Sequence, residues 1–157
     1  MRYANSILET VGNTPLIKIG RMAAHLKPTL LVKVESFNPG GSAKDRIGIL
    51  MLLEAEKKGL IKKGGTVVEA TAGNTGVGLA LVAATRGYKA IFVMPDKMSM
   101  EKELLLRAYG ADVIRTPTSV ASDDPRSYNE VAKKIASETP GAFSPNQFAN
   151  QDNPKAH

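Results

Sequence analysis

The sequence predicts an α/β fold: a parallel sheet with helices on both faces. Three observations carry that expectation. Short apolar or β-branched runs alternate with longer segments of helical spacing. The run Ala90-Ile91-Phe92-Val93-Met94 is apolar throughout rather than alternating, as expected of a strand covered on both sides. Glycine-containing turns separate the segments, as in Gly64-Gly65, Gly87 and Gly110. A chain of 157 residues suits one domain of ordinary size and can bury a core.

Taken in order, residues 7–11 fit a short helical turn, and Gly12-Asn13-Thr14-Pro15 is a turn signal. Residues 16–19 and 30–34 read as strands. His25, between them, has no partner in sequence and is assigned no role. Ile47, Leu50, Met51 and Leu53 give one broad apolar helical face, closed by Lys57-Lys58-Gly59. Residues 66–70 form a β-branched strand, and a helix is expected from about Val77 to Arg86, ending at Gly87. Ser99 is placed to cap a helix that ends at Gly110, before a strand over 112–115. Asp124-Pro125 reads as an N-cap and first helical residue, followed by Tyr128, Val131, Ala132 and Ile135 at helical spacing. Pro140-Gly141 then turns into a last short strand at Ala142-Phe143.

Two loops carry chemistry. Asn38-Pro39-Gly40-Gly41-Ser42-Ala43-Lys44-Asp45-Arg46 is a glycine turn that opens a helix. Ser42 and Asp45 have the spacing of a capping box, which places Lys44 in the first helical turn. The positive end of a helix disfavours a further cation, so the neutral, nucleophilic amine is favoured there. A solvated first-turn lysine is the plainer alternative. Thr71-Ala72-Gly73-Asn74-Thr75-Gly76 joins a strand end to a helix start. Its backbone N–H groups, its two threonine hydroxyls and the Asn74 amide suit a carboxylate or phosphate, and a tight turn alone is the alternative. The glycines there run Gly73-x-x-Gly76-x-Gly78, the reverse of a dinucleotide fingerprint, and no phosphate-loop motif ending in Gly-Lys-Ser/Thr occurs.

Composition narrows the classes. There is no cysteine, so disulfides, thiolate nucleophiles and cysteine-ligated metal are excluded, and no metal site is expected. The net charge of +6 raises a nucleic-acid partner, but the basic residues are dispersed and no aromatics are interleaved with them. A solvated basic face is expected instead, with no nucleic-acid and no membrane partner. The N-terminus leads into no apolar signal core, the longest apolar run is far too short for a bilayer, and the chain reads as cytoplasmic.

The motifs together resemble the cystathionine β-synthase and cysteine synthase family of fold-type II pyridoxal phosphate enzymes. Gly12-Asn13-Thr14-Pro15-Leu16 resembles its opening motif, residues 38–46 its cofactor-lysine motif, residues 69–76 its asparagine loop, and Asn146-Gln147-Phe148 its later glutamine motif. The resemblance implies a three-layer αβα domain, the N-terminal part of a two-domain enzyme. Residues 1–36 would contribute strands that pair with a second domain, and the C-terminal half would be absent. It implies that Lys44 binds pyridoxal 5'-phosphate covalently and then acts as base, and that Asn74 hydrogen-bonds the ring's phenolic oxygen. Thr71, Ala72, Asn74, Thr75 and Gln147 would hold the substrate carboxylate. Ala72 stands where the family more commonly has serine, which leaves only its backbone N–H for that task. The implied reaction is β-replacement on L-serine or O-acetylserine by a thiol. Residues 95–102 and 115–118 lean towards homocysteine as that thiol, with sulfide as the alternative, in a homodimeric full-length protein. An expectation of a different class is a catalytically incomplete piece that folds or self-associates without turnover.

Overall fold

The computed structural model describes residues 1, 3–71 and 73–157. Strands β1 (Leu16–Lys18) and β2 (Leu31–Lys33) form a separate antiparallel pair, with Ile17 opposite Val32. The main sheet is parallel and has the order β5-β4-β3-β6. Its strands are β3 (Thr66–Ala70), β4 (Lys89–Pro95), β5 (Asp112–Thr116) and β6 (Ala142–Phe143). Helices α1 (Lys44–Lys57), α2 (Asn74–Arg86) and α3 (Met100–Ala108) alternate with these strands, followed by α4 (Tyr128–Glu138) and a short α5 (Asp152–Lys155).

Both faces of the sheet are covered, as the apolar strands require. On one face Ile47, Met51 and Leu52 of α1, Leu79 and Val82 of α2 and Leu106 of α3 pack with Val67 and Phe92. On the other, Ala132 of α4 packs on Val68 and Val93. Alternation along β3 decides which side chain goes where: Val67 faces one layer and Val68 the other.

Strand order positions the site. β4 and β5 are added on one side of β3, while β6 returns to the other side. In an open parallel sheet, a crevice forms beyond the carboxyl ends of the strands where the order reverses. The segments leaving β3 and β6 therefore meet at one place.

Several helix starts differ from the sequence expectation. α2 begins at Asn74, three residues before Val77, so Asn74, Thr75 and Gly76 of the asparagine loop open the helix itself. α1 begins at Lys44, but no capping box forms. Ser42 Oγ accepts from the Lys44 N–H at 3.2 Å, while the Asp45 carboxylate turns back to the Gly40 N–H at 2.5 Å. Asp45 is fully buried, and the Gly40 N–H satisfies the carboxylate there in place of the helix start. α4 begins after Ser127, whose hydroxyl accepts from the Glu130 N–H at 3.3 Å. Asp124 is instead held by the Arg126 guanidinium at 2.8 and 3.0 Å. Ser99 occupies the N-cap position of α3 without a side-chain bond to the helix backbone.

Candidate active site

The loop before Lys44 is held by a polar cluster drawn from three segments. Arg46 forks onto Glu35, Nε to Oε2 and Nη2 to Oε1, each at 2.8 Å. Thr14 donates to Glu35 Oε1 at 2.7 Å, and Arg46 Nη2 also donates to the Gly12 carbonyl at 2.8 Å. Asn38, buried, donates to Glu35 Oε2 at 2.9 Å and to the Ser42 carbonyl at 3.0 Å, and accepts from the Gly12 N–H at 2.9 Å. The opening turn is thus tied directly to the lysine loop, a bidentate ion pair at its centre.

This cluster makes a testable acid dependence. The hydrogen bond from Arg46, then that from Thr14, holds the Glu35 carboxyl at about 2, below its ordinary 4.5. The folded protein therefore binds fewer protons at this site than the unfolded chain. Its contribution to stability is fully present above about pH 4.5 and is lost as pH falls towards 2. Glu35→Gln should lower stability at neutral pH and flatten this part of the acid-unfolding curve. An acid profile parallel to that of the wild type would contradict the assignment.

Helices α1 and α2 touch backbone to backbone, with glycine on each. A Cβ on Gly48 would lie 2.5 Å from the carbonyl carbon of Gly78 and 2.6 Å from its oxygen. A Cβ on Gly78 would lie 2.9 Å from the carbonyl carbon of Lys44 and 3.1 Å from Asp45 Cα. No side chain fits between them, so the first turn of α1 is pressed against the first turns of α2. That contact fixes where Lys44 begins its helix relative to Asn74.

Lys44 is half-buried, and among the described residues its amine has neither a carboxylate nor a hydrogen-bond acceptor. Beside it, burial pushes the Asp45 carboxyl above its ordinary value, against the hydrogen bond from the Gly40 N–H. Asn74 is exposed at the first position of α2, where the leading N–H groups have no acceptor within the helix. Thr71 and Thr75 are buried. Thr71 sits against Gly76, where a Cβ would come within 2.7 Å of its methyl carbon.

The crevice itself lies between the β3 and β6 segments. Thr75 Oγ1 donates to Gln147 Oε1 at 2.6 Å across 72 residues of sequence. Thr71, Gly73, Thr75, Tyr128 and Gln147 line a cavity of about 220 Å³ there. The structure brings together three of the residues expected to grip a carboxylate. It sets Lys44 and Asn74 on the adjoining helix starts rather than in this cavity's lining. Ala72 lies outside the described residues.

One residue of the site carries no signal in local spacing. Glu69, buried on β3, accepts the Asn146 N–H on Oε2 at 2.9 Å and the Gln147 N–H on Oε1 at 3.2 Å. Burial pushes its carboxyl upward, opposed by the N–H groups of Gln147 and Asn146. The hints of Glu69 in the sequence are an acidic residue inside a buried β-branched strand and its place at the head of the asparagine-loop motif.

A primary amine without a counter-ion suits an aldehyde, and an exposed amide at a helix start suits a phenolic oxygen. The residues present therefore fit the reactive end of a pyridoxal cofactor. Comparison with known proteins agrees. A family described as pyridoxal-phosphate dependent enzyme matches residues 7–157. The chain is 50% identical over 153 residues to a cystathionine beta-synthase of Dictyostelium discoideum, covering 98% of this chain and 31% of that protein. It superposes on a hydrogen sulfide-producing enzyme from Fusobacterium nucleatum with TM-score 0.91 and 44% identity, covering all of this chain and 50% of that one. An O-acetylserine dependent cystathionine beta-synthase from Helicobacter pylori gives TM-score 0.87 and 40% identity, over 99% of this chain and 51% of the other. The chain spans about a third of the curated relative's length and about half of each solved one. With its parallel sheet, its lysine at a helix start and its match over residues 7–157, the chain belongs to the pyridoxal-phosphate dependent enzyme family, of fold-type II, whose cofactor is pyridoxal 5'-phosphate.

Proposed function

We propose that the protein catalyses β-replacement on L-serine or O-acetylserine by a thiol, with homocysteine as the thiol and cystathionine as the product. The observation that carries the reading is the meeting of Thr75 with Gln147 beyond adjacent strands, beside a helix start that bears Lys44. The match to cystathionine beta-synthases supports homocysteine over sulfide.

In this reading Lys44 Nζ would hold the aldehyde end of the cofactor, and its amine would be free to act as a base once the amino acid is bound. The freed amine then takes the proton from the substrate α-carbon and returns it at the end of the cycle. Bound pyridoxal 5'-phosphate supplies the electron sink for the bonds at that carbon. Thr71, Thr75, Gln147 and the backbone of the Asn74 turn hold the carboxylate, which fixes the α-proton's direction. Asn74 donates to the phenolic oxygen through its side-chain amide. The β-substituent leaves with its bonding pair, the thiol sulfur bonds the β-carbon in its place, and the thiol proton goes to the leaving group, released as water from serine or acetic acid from O-acetylserine.

The proposal extends to the rest of the enzyme. The β1–β2 pair exposes apolar side chains on both faces, Leu16 at 63% and Leu31 on one and Ile17 at 50% and Val32 on the other. A second domain would cover this pair and supply the phosphate cradle, in a cytoplasmic homodimer. The test is an assay of L-serine with homocysteine, with sulfide and with no acceptor. Cystathionine is the expected product. Cysteine formed with sulfide and none with homocysteine would move the reading to a cysteine synthase, and pyruvate with every acceptor would overturn β-replacement.

A further inference from the structure

The carboxylate-gripping reading leaves open what holds Gln147 in place, and the loop that carries it is under strain. Asn146 has φ of 47°, the one positive value at a non-glycine residue among the described residues. Asparagine tolerates the left-handed region better than most residues, yet the conformation must still be held by its surroundings. Three side chains hold it, through four hydrogen bonds. Glu69 takes the N–H groups of both Asn146 and Gln147, 77 and 78 residues away in sequence. Asn153 Nδ2 donates to the Gln147 carbonyl at 2.7 Å. Asn150 Nδ2 donates to the carbonyl of the buried Pro145 at 3.0 Å. The Gln147 backbone is therefore pinned at both its N–H and its carbonyl, and its side chain is left to face Thr75.

We propose that Glu69 is a positioning residue for the amino-acid substrate. Its buried carboxylate clamps the left-handed turn at Asn146 so that the Gln147 amide stands in the cavity lined by Thr71 and Thr75. This rests on the reading of that cavity as the carboxylate grip. A carboxylate is suited to the task because it offers one acceptor oxygen to each of two successive N–H groups. Glutamine of the same shape offers one acceptor and sets an NH₂ against the second N–H. The turn then relaxes, while the burial of the side chain and the volume of the core are kept.

The test uses the holoprotein and follows the cofactor's absorbance during titration with L-serine. Glu69→Gln is expected to raise the half-saturating serine concentration about tenfold, with little change in melting temperature or in the spectrum without serine. In a Gln147→Ala background the same substitution should add less than twofold, because Glu69 acts through Gln147. Should Glu69→Gln not fold, Asn146→Ala strains the same turn with Glu69 in place and is expected to give the same loss. Unchanged serine affinity in either folded variant, or additive losses in the double variant, would overturn the inference. A wild type that gives no spectral response to serine would instead overturn the carboxylate-grip reading itself.

Discussion

Replacing Lys44 with alanine is expected to abolish turnover, by about 10³-fold or more, and to remove the visible absorbance that pyridoxal 5'-phosphate gains on joining a lysine. The fold should survive. Among the described residues the amine makes no ion pair or hydrogen bond, so stability should change by about 1 kcal/mol or less. The check is a comparison of absorbance, serine turnover and thermal unfolding between Lys44→Ala and the wild type. A variant that keeps the absorbance band would contradict the role. Loss of the band together with collapse of the fold would make Lys44 a structural residue.

The second large effect belongs to Gly78. Alanine normally gains about 1 kcal/mol over glycine inside a helix. Here the added Cβ would meet the backbone of Lys44 and Asp45, which cannot swing away as a side chain tip can. Overpacking against backbone outweighs the propensity gain. Gly78→Ala should cost about 3 kcal/mol, on the order of 10 °C in melting temperature for a domain of this size. It should also weaken cofactor binding, because separating α1 from α2 moves Lys44 away from the Asn74 turn. Gly48→Ala, across the same contact, should behave alike. A melting temperature equal to or above the wild type would show that the helices do not meet through their glycines.

The contrast between these glycines and the loop glycines shows what was legible in the residues. Alternating apolar runs and turns were enough for a parallel sheet covered on both faces, because burial on both sides leaves a strand apolar throughout. The position of Lys44 in the first turn of α1 followed from turn chemistry, whereas the start of α2 at Asn74, ahead of Val77, did not. Which residue caps each helix did not, since Asp45 satisfies Gly40 and Asp124 satisfies Arg126 instead. Propensity ranks capping residues, but a competing partner near in space decides among them. Gly48 reads in sequence as an interruption of an apolar run, and only the partner helix reveals it as a contact point. The pairing of β6 with β3 was beyond local pattern, and with it the meeting of Thr75 with Gln147 and the clamp by Glu69. Residues 72 to 78 positions apart share no periodicity. Thr71 and Thr75 entered through the chemistry of their loop, Gln147 only through a family resemblance, and Glu69 only as the first residue of the asparagine-loop motif, with no role of its own.

The most direct test of the central claim is chemical. The holoprotein is reduced with borohydride, which fixes a lysine-bound pyridoxal group in place, and digested. The lysine that carries the group is then identified by mass spectrometry. The structure predicts the group on Lys44 and its absence after Lys44→Ala. A pyridoxal group found on a different lysine, or on none in protein that turns over serine, would contradict the account.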